Sequence, residues 1–150
     1  MRVLIQEVSS SSVSIGGETV ALIGKGELLL VGFEASDDYR ILEKMAKKIV
    51  KARIFPDENG KTNLSLSQIG GEVLLVSQFT LYGSLKEGNR PSFVNAARPE
   101  EARALYNQFV KMMKEEIPSL QTGVFQADMR VSLVNEGPFT LLLDSKELFA

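Results

Sequence analysis

Ser77-Gln78-Phe79-Thr80-Leu81 places two hydroxyls and a primary amide within four residues, directly after the apolar run Val73-Leu74-Leu75-Val76. Polar groups at the end of a buried strand are well placed to meet a substrate, because the scaffold behind them is rigid. The same hydroxyls can instead bond to nearby backbone, with Phe79 in the core. The segment alone leaves both readings open. A second segment, Asn135-Glu136-Gly137-Pro138-Phe139-Thr140, interrupts two apolar runs, Met129 to Val134 and Phe139 to Leu143. Proline cannot donate to a sheet ladder, so the Gly-Pro step must bend, bulge or end the pairing. Glycine relieves the crowding that proline imposes on the residue before it. This step reads either as an ordinary turn or as a rigid kink that offers main-chain carbonyls to a ligand.

The residue inventory narrows the chemistry. The 150 residues include no His, so Ser-His-Asp and Cys-His mechanisms are excluded. They include no Cys, which excludes thiolate zinc sites and thiol redox chemistry. No cluster of Asp and Glu has metal-ligand spacing, so neither a metal nor another cofactor is expected. Catalysis would have to use hydroxyls, amides, carboxylates, backbone groups or the substrate itself. The formal net charge of −2 argues against gripping nucleic acid by charge alone. No apolar run approaches the length of a membrane span, and the N-terminus has too short an apolar core for a signal peptide, so a cytoplasmic protein is expected.

The elements that must hold these segments read as one domain over residues 1–150. Strands are expected at Arg2–Val8, Ser12–Ile15, Glu18–Ile23 and Glu27–Phe33, with Gly16-Gly17 and Gly24-Lys25-Gly26 as turns. The serine run 9–12 reads as a loop or bulge. A helix follows, capped by Ser36, with Ile41, Leu42, Met45, Ala46, Ile49 and Val50 on its apolar face. Its stripe of Lys44, Lys47, Lys48 and Lys51 reads first as a solvated face and second as an RNA-phosphate contact. Residues 53–66 read as a loop, 72–79 as a buried strand and 83–98 as a long polar connection. A second helix starts at Pro99 and stops before Pro118. Strands over 123–134 and 139–143 close the chain. Strands in runs, with two main helices, predict an α+β fold built mainly on antiparallel sheet.

The two polar segments, with Arg90-Pro91-Ser92-Phe93 between them, resemble the D-aminoacyl-tRNA deacylase family. The resemblance extends through Met1–Gln6, Ile54-Phe55, Asn63–Leu66, Leu105-Tyr106 and Leu143–Ser145, nearly the whole chain. It implies a compact β-barrel-like homodimer, without cofactor or membrane association, whose partner is aminoacyl-tRNA. It also implies hydrolysis of the ester between a D-amino acid and the tRNA 3′ end, and of glycyl-tRNA mischarged on tRNA for alanine. In this family the Gly-Pro step is cis and enters the active site of the partner subunit. By resemblance, Gly137 and Pro138 are the chirality filter, and Ser77, Gln78, Phe79 and Thr80 line the reaction centre. Phe125 and Met129 match positions near the terminal adenosine, while Lys86 and Arg90 are placed to meet the tRNA backbone. Arg90 could as well pair with a carboxylate. The chain departs from the family pattern at Phe139, where Val is usual, and at Gly83-Ser84-Leu85.

The expected chemistry suits this inventory. An aminoacyl ester is already activated, so positioning and oxyanion stabilisation are the main needs. Backbone N–H groups of Phe79 and Thr80 could supply the second, and the ribose 2′-OH could orient or activate the water. Thr80 as a covalent nucleophile lacks a base. If main-chain carbonyls of Gly137 and Pro138 hold the α-amino group, a D-residue turns its Cα hydrogen to the wall and an L-residue its side chain. The alternatives are an editing domain for L-amino acids on the same fold, and a non-catalytic dimeric nucleic-acid-binding module.

Overall fold

The computed structural model describes all 150 residues, except for the side chain of Pro138. The first strand, β1 (Arg2–Ile15), is continuous, so the serine run is strand rather than loop. Ser9 is an extra residue there: Val8 pairs with Asn135 and Ser10 with Val134. An extra residue reverses which face each side chain takes. Ile5 and Val8 face opposite sides by ordinary alternation, and the extra residue then brings Val13 to the side of Val8, so both valines join the second cluster. The remaining serines fit because the ladder is satisfied and the Ser11 hydroxyl donates to the Ser132 carbonyl at 2.9 Å.

β1 pairs along one edge with β2 (Glu18–Ile23) and β3 (Gly26–Gly32), and along the other with β8 (Arg130–Asp144). β3 pairs in parallel with β6 (Glu72–Ser77), and β6 with β7 (Gln121–Thr122). β2 lies beside β6 and β7, so the sheet curls into a nearly closed barrel. Val8, Val13, Leu28, Leu74 and Val76 fill its interior. The opposite face, with Ile5, Leu29, Val31 and Leu75, is covered by α1 (Tyr39–Lys51) and α3 (Pro99–Glu116). The fold is thus α+β and barrel-like, as expected.

The helix ends refine the reading. Asp38, not Ser36, caps α1, accepting from the Ile41 N–H at 3.0 Å. Asp37 turns away and accepts instead from the amino group of Met1 at 2.6 Å. All four lysines of the stripe are exposed; Lys47 pairs with Glu43, and Lys44 lies 5.5 Å from the Phe149 ring centre. Residues 53–66 are not a plain loop. They contain the hairpin β4 (Phe55–Pro56) and β5 (Thr62–Leu64), and lead to α2 (Leu66–Ile69), which Ser65 and Gln68 close as a capping box. A last turn, α4 (Ser145–Leu148), ends the chain. Among the described residues, no helix is long and apolar enough to cross a membrane.

Candidate active site

β6 ends at Ser77, and residues Phe79–Tyr82 form a 3-10 turn rather than a continued strand. The turn is tied down at its start, where the Gln78 N–H donates to the Val31 carbonyl at 2.7 Å. Gly32 makes that approach possible, since a Cβ there would sit 2.9 Å from the Gln78 carbonyl oxygen. The first N–H groups of a helical turn have no partner within it. Accordingly, the N–H groups of Phe79 and Thr80 have no acceptor among the described residues. The Gln78 side-chain amide donates to the Thr80 hydroxyl. Phe79 is 55% exposed and meets Phe93 edge to face, with ring centres 5.1 Å apart. The result is an exposed turn with two unpartnered backbone donors beside an aromatic surface. This can hold an oxyanion.

Arg2 braces the turn from behind. Its Nη1 donates to the Leu81 carbonyl at 2.9 Å, its Nε donates to Asp144 at 2.9 Å, and its guanidinium lies 4.7 Å from the Tyr82 ring centre. Burial works to raise the Asp144 carboxyl, but the Arg2 and Lys146 N–H bonds outweigh it and hold it below the usual carboxylate range. The same pair keeps Arg2 firmly charged. Burial, followed by the carboxylates of Asp37, Glu34 and Asp144, keeps the Tyr82 phenol protonated. A polar cleft of about 400 Å³ opens here between Arg2, Glu34, Tyr82, Ser84, Asn95 and Lys146.

The Gly-Pro step lies elsewhere in the chain. β8 runs through it, but Gln6 pairs with Thr140 and Val8 with Asn135. Residues 136–139 therefore bulge out opposite the single residue Glu7. Asn135 closes the base of this kink, its side-chain amide donating to the Glu7 carbonyl at 2.9 Å and to the Phe139 carbonyl at 3.1 Å. Gly137 faces open space: a Cβ there would meet nothing within 4 Å. Pro138, expected to form the chirality filter with Gly137, has its side chain outside the described residues. Phe139 lines a groove of about 400 Å³ together with Glu7, Ser9, Lys25, Pro56 and Gly137, and also packs against the helix-side core.

Beside this groove lies a feature the sequence reading passed over. Glu27 is 0% exposed, and neither of its carboxyl oxygens has a hydrogen-bond partner among the described residues. It stands directly across the ladder from Glu7, which is also buried. Desolvation, then the charge of Glu7, pushes the Glu27 carboxyl up to about 8. Desolvation and Glu136 raise Glu7 as well, against the pull of Lys25. Glu27 falls on the same strand face as Leu29 and Val31, but the run from Leu28 to Val31 is apolar on both faces, so the sequence alone does not mark that face as core.

One chain does not bring the two segments together. Ser77 lies in register with Val31, Val3 and Leu143. Glu7, opposite the kink, is four residues further along β1. The kink and the turn are thus separated by three strand spacings, roughly 14 Å, and by four residues of strand, roughly 13 Å. Phe125 and Met129 join different apolar clusters; Phe125 stacks against Tyr106, and Met129 packs beside Gly123. Lys86 and Arg90 are exposed on the 83–98 connection, and neither forms an ion pair among the described residues. Those residues also contain no group of three acidic side chains that could hold a metal.

A family model described as D-Tyr-tRNA(Tyr) deacylase matches residues 4–144. The D-aminoacyl-tRNA deacylase of Chloroherpeton thalassium is 55% identical over 147 residues, covering 97% of this chain and 96% of that protein. Its counterpart from Clostridium novyi is 50% identical over 149 residues, covering 99% and 100%. Among solved structures, one described as c-Myc DNA Unwinding Element Binding Protein superposes with a TM-score of 0.91 at 37% identity, covering 96% of this chain and 98% of that one. A probable eukaryotic D-amino acid tRNA deacylase superposes with a TM-score of 0.82 at 18% identity, covering 95% and 97%, a likeness of fold.

Proposed function

The chain belongs to the D-aminoacyl-tRNA deacylase family, and from that premise we propose that it hydrolyses the ester of D-aminoacyl-tRNA at the turn 77–80, releasing the D-amino acid and free tRNA. The observation that carries this reading is the pair of unpartnered N–H groups at Phe79 and Thr80 on an exposed turn. Water adds to the ester carbonyl, and the oxygen that becomes negative lies against those two donors. The carbon–oxygen bond to the ribose then breaks, and the proton lost by water passes to the ribose oxygen. The adjacent 2′-OH orients the water. No His or Cys is needed.

The chirality filter is the main chain of Gly137 and Pro138, acting in a second copy of the chain. Three observations support the second copy. Kink and turn are far apart in one chain. β8 has only β1 as a ladder neighbour. Its Val134 and Leu142 are 54% and 55% exposed, more apolar surface than a lone edge strand ordinarily shows. Two chains related by a two-fold axis would cover both surfaces and form two equivalent sites. A filter that works by rejecting a side chain has nothing to reject in glycine, so glycyl-tRNA mischarged on tRNA for alanine is also a substrate. The reaction belongs in the cytoplasm, where tRNA is charged.

Release of D-tyrosine from D-tyrosyl-tRNA by the purified protein tests the reading. Thr80→Val is expected to keep turnover within about tenfold, because the backbone donors remain. Loss of several orders of magnitude would make Thr80 the nucleophile instead.

A further inference from the structure

A carboxyl group buried from all solvent with both oxygens unpartnered requires a physical reason, because such groups are nearly always satisfied. Glu27 is that group, and it has Glu7 directly across the ladder. Two carboxylates so close, out of water, do not both ionise. Glu27 is the deeper of the two and takes the proton; Glu7, which lines the groove, carries the charge. The Glu7 carboxylate has no hydrogen bond or ion pair among the described residues; Lys25 and Glu136 also line the groove, and the pull of Lys25 on Glu7 is the larger of the two. An unpaired negative charge therefore faces a groove of about 400 Å³, within the range that holds small organic ligands. Gly137 lines the same groove.

We infer that this groove is a cation site in which Glu7, backed by Glu27, takes the free ammonium group of the aminoacyl ester. The inference rests on the proposed function and deepens it. A metal ion is a poorer occupant, since no third acidic ligand converges there among the described residues. A lysine or arginine from the second copy is the other cation of the right chemistry. The aminoacyl ammonium is favoured because Gly137, whose carbonyl is proposed to meet it, shares the groove wall with Glu7. Main-chain carbonyls orient the ammonium through hydrogen bonds, and Glu7 supplies the compensating charge.

The test compares D-tyrosyl-tRNA with N-acetyl-D-tyrosyl-tRNA, which lacks the positive charge. The intact protein is expected to prefer the free ammonium in kcat/KM. Glu7→Gln should lower that preference on the order of tenfold, through KM of the free substrate, and leave the acetylated one unchanged. Glu7→Asp, which keeps the charge, should retain most of the preference. A preference unmoved in Glu7→Gln, with turnover intact, overturns this inference alone. So does an unmoved preference with a shift from dimer to monomer, which would assign the charge to the second copy. Failure of the unaltered protein to cleave either ester overturns the functional reading and this inference together.

Discussion

Glu27 shows what a single residue can cost a fold. Its carboxyl is shut off from solvent, with no partner for either oxygen. Because its folded value of about 8 lies above the ordinary 4.5, the folded chain keeps a proton that the unfolded chain releases. Stability is therefore full below about pH 4.5 and declines as pH rises toward 8. A tenfold change in proton affinity corresponds to about 1.4 kcal/mol, so the loss reaches a few kcal/mol. Glu27→Gln removes the titration, and denaturant unfolding at pH 8 should show it more stable by that order, with little difference at pH 4.5. An unchanged pH slope would show that Glu27 is not held protonated. The residue was visible in the sequence but not its burial. A Glu beginning the run Glu27-Leu28-Leu29-Leu30-Val31 looks like an exposed strand end until the ladder with Glu7 is known.

At the scale of elements, most strands and both long helices followed from pattern, whereas short elements did not; the strand expected over 123–134 begins only at Arg130 and runs on through the kink to Asp144. The 3.6 periodicity of α1, and Pro99 with its acidic first turn in α3, carried enough positions to be read. β4, β5 and α2 span two to four residues each and have no period to detect. The Ser9 bulge was hidden for another reason. It depends on pairing with β8, more than a hundred residues away. The turn Phe79–Tyr82 was legible as a polar strand end but not as a helical turn, because its shape depends on Gly32 and Arg2. Arg2 provides a test at this scale. Its ion pair with Asp144 is part-exposed, and such pairs contribute under about 1 kcal/mol to stability. The bond from Arg2 to the Leu81 carbonyl, however, fixes the turn that carries the backbone donors. Arg2→Met should therefore lower kcat for D-tyrosyl-tRNA about tenfold while the unfolding midpoint shifts little. A loss of stability without loss of kcat would make Arg2 a structural residue only.

For the whole molecule, the family resemblance supplied what no local pattern could. The signatures at 77–81 and 135–140 identify a deacylase, yet one chain holds them on separate parts of a curled sheet. The proposed site exists only when one protomer's kink meets the turn of its partner. Activity should then fall faster than protein concentration once dimers dissociate. Asn135→Ala, which unties the base of the kink, should damage discrimination in the partner's site more than turnover. Specific activity that stays constant down to concentrations where sedimentation shows only monomer would contradict a shared site. The most direct measurement is kcat/KM for D-tyrosyl-tRNA and L-tyrosyl-tRNA under the same conditions. A main-chain wall that admits only a Cα hydrogen predicts a preference for the D-ester of at least about a hundredfold, and comparable rates for the two esters would contradict it.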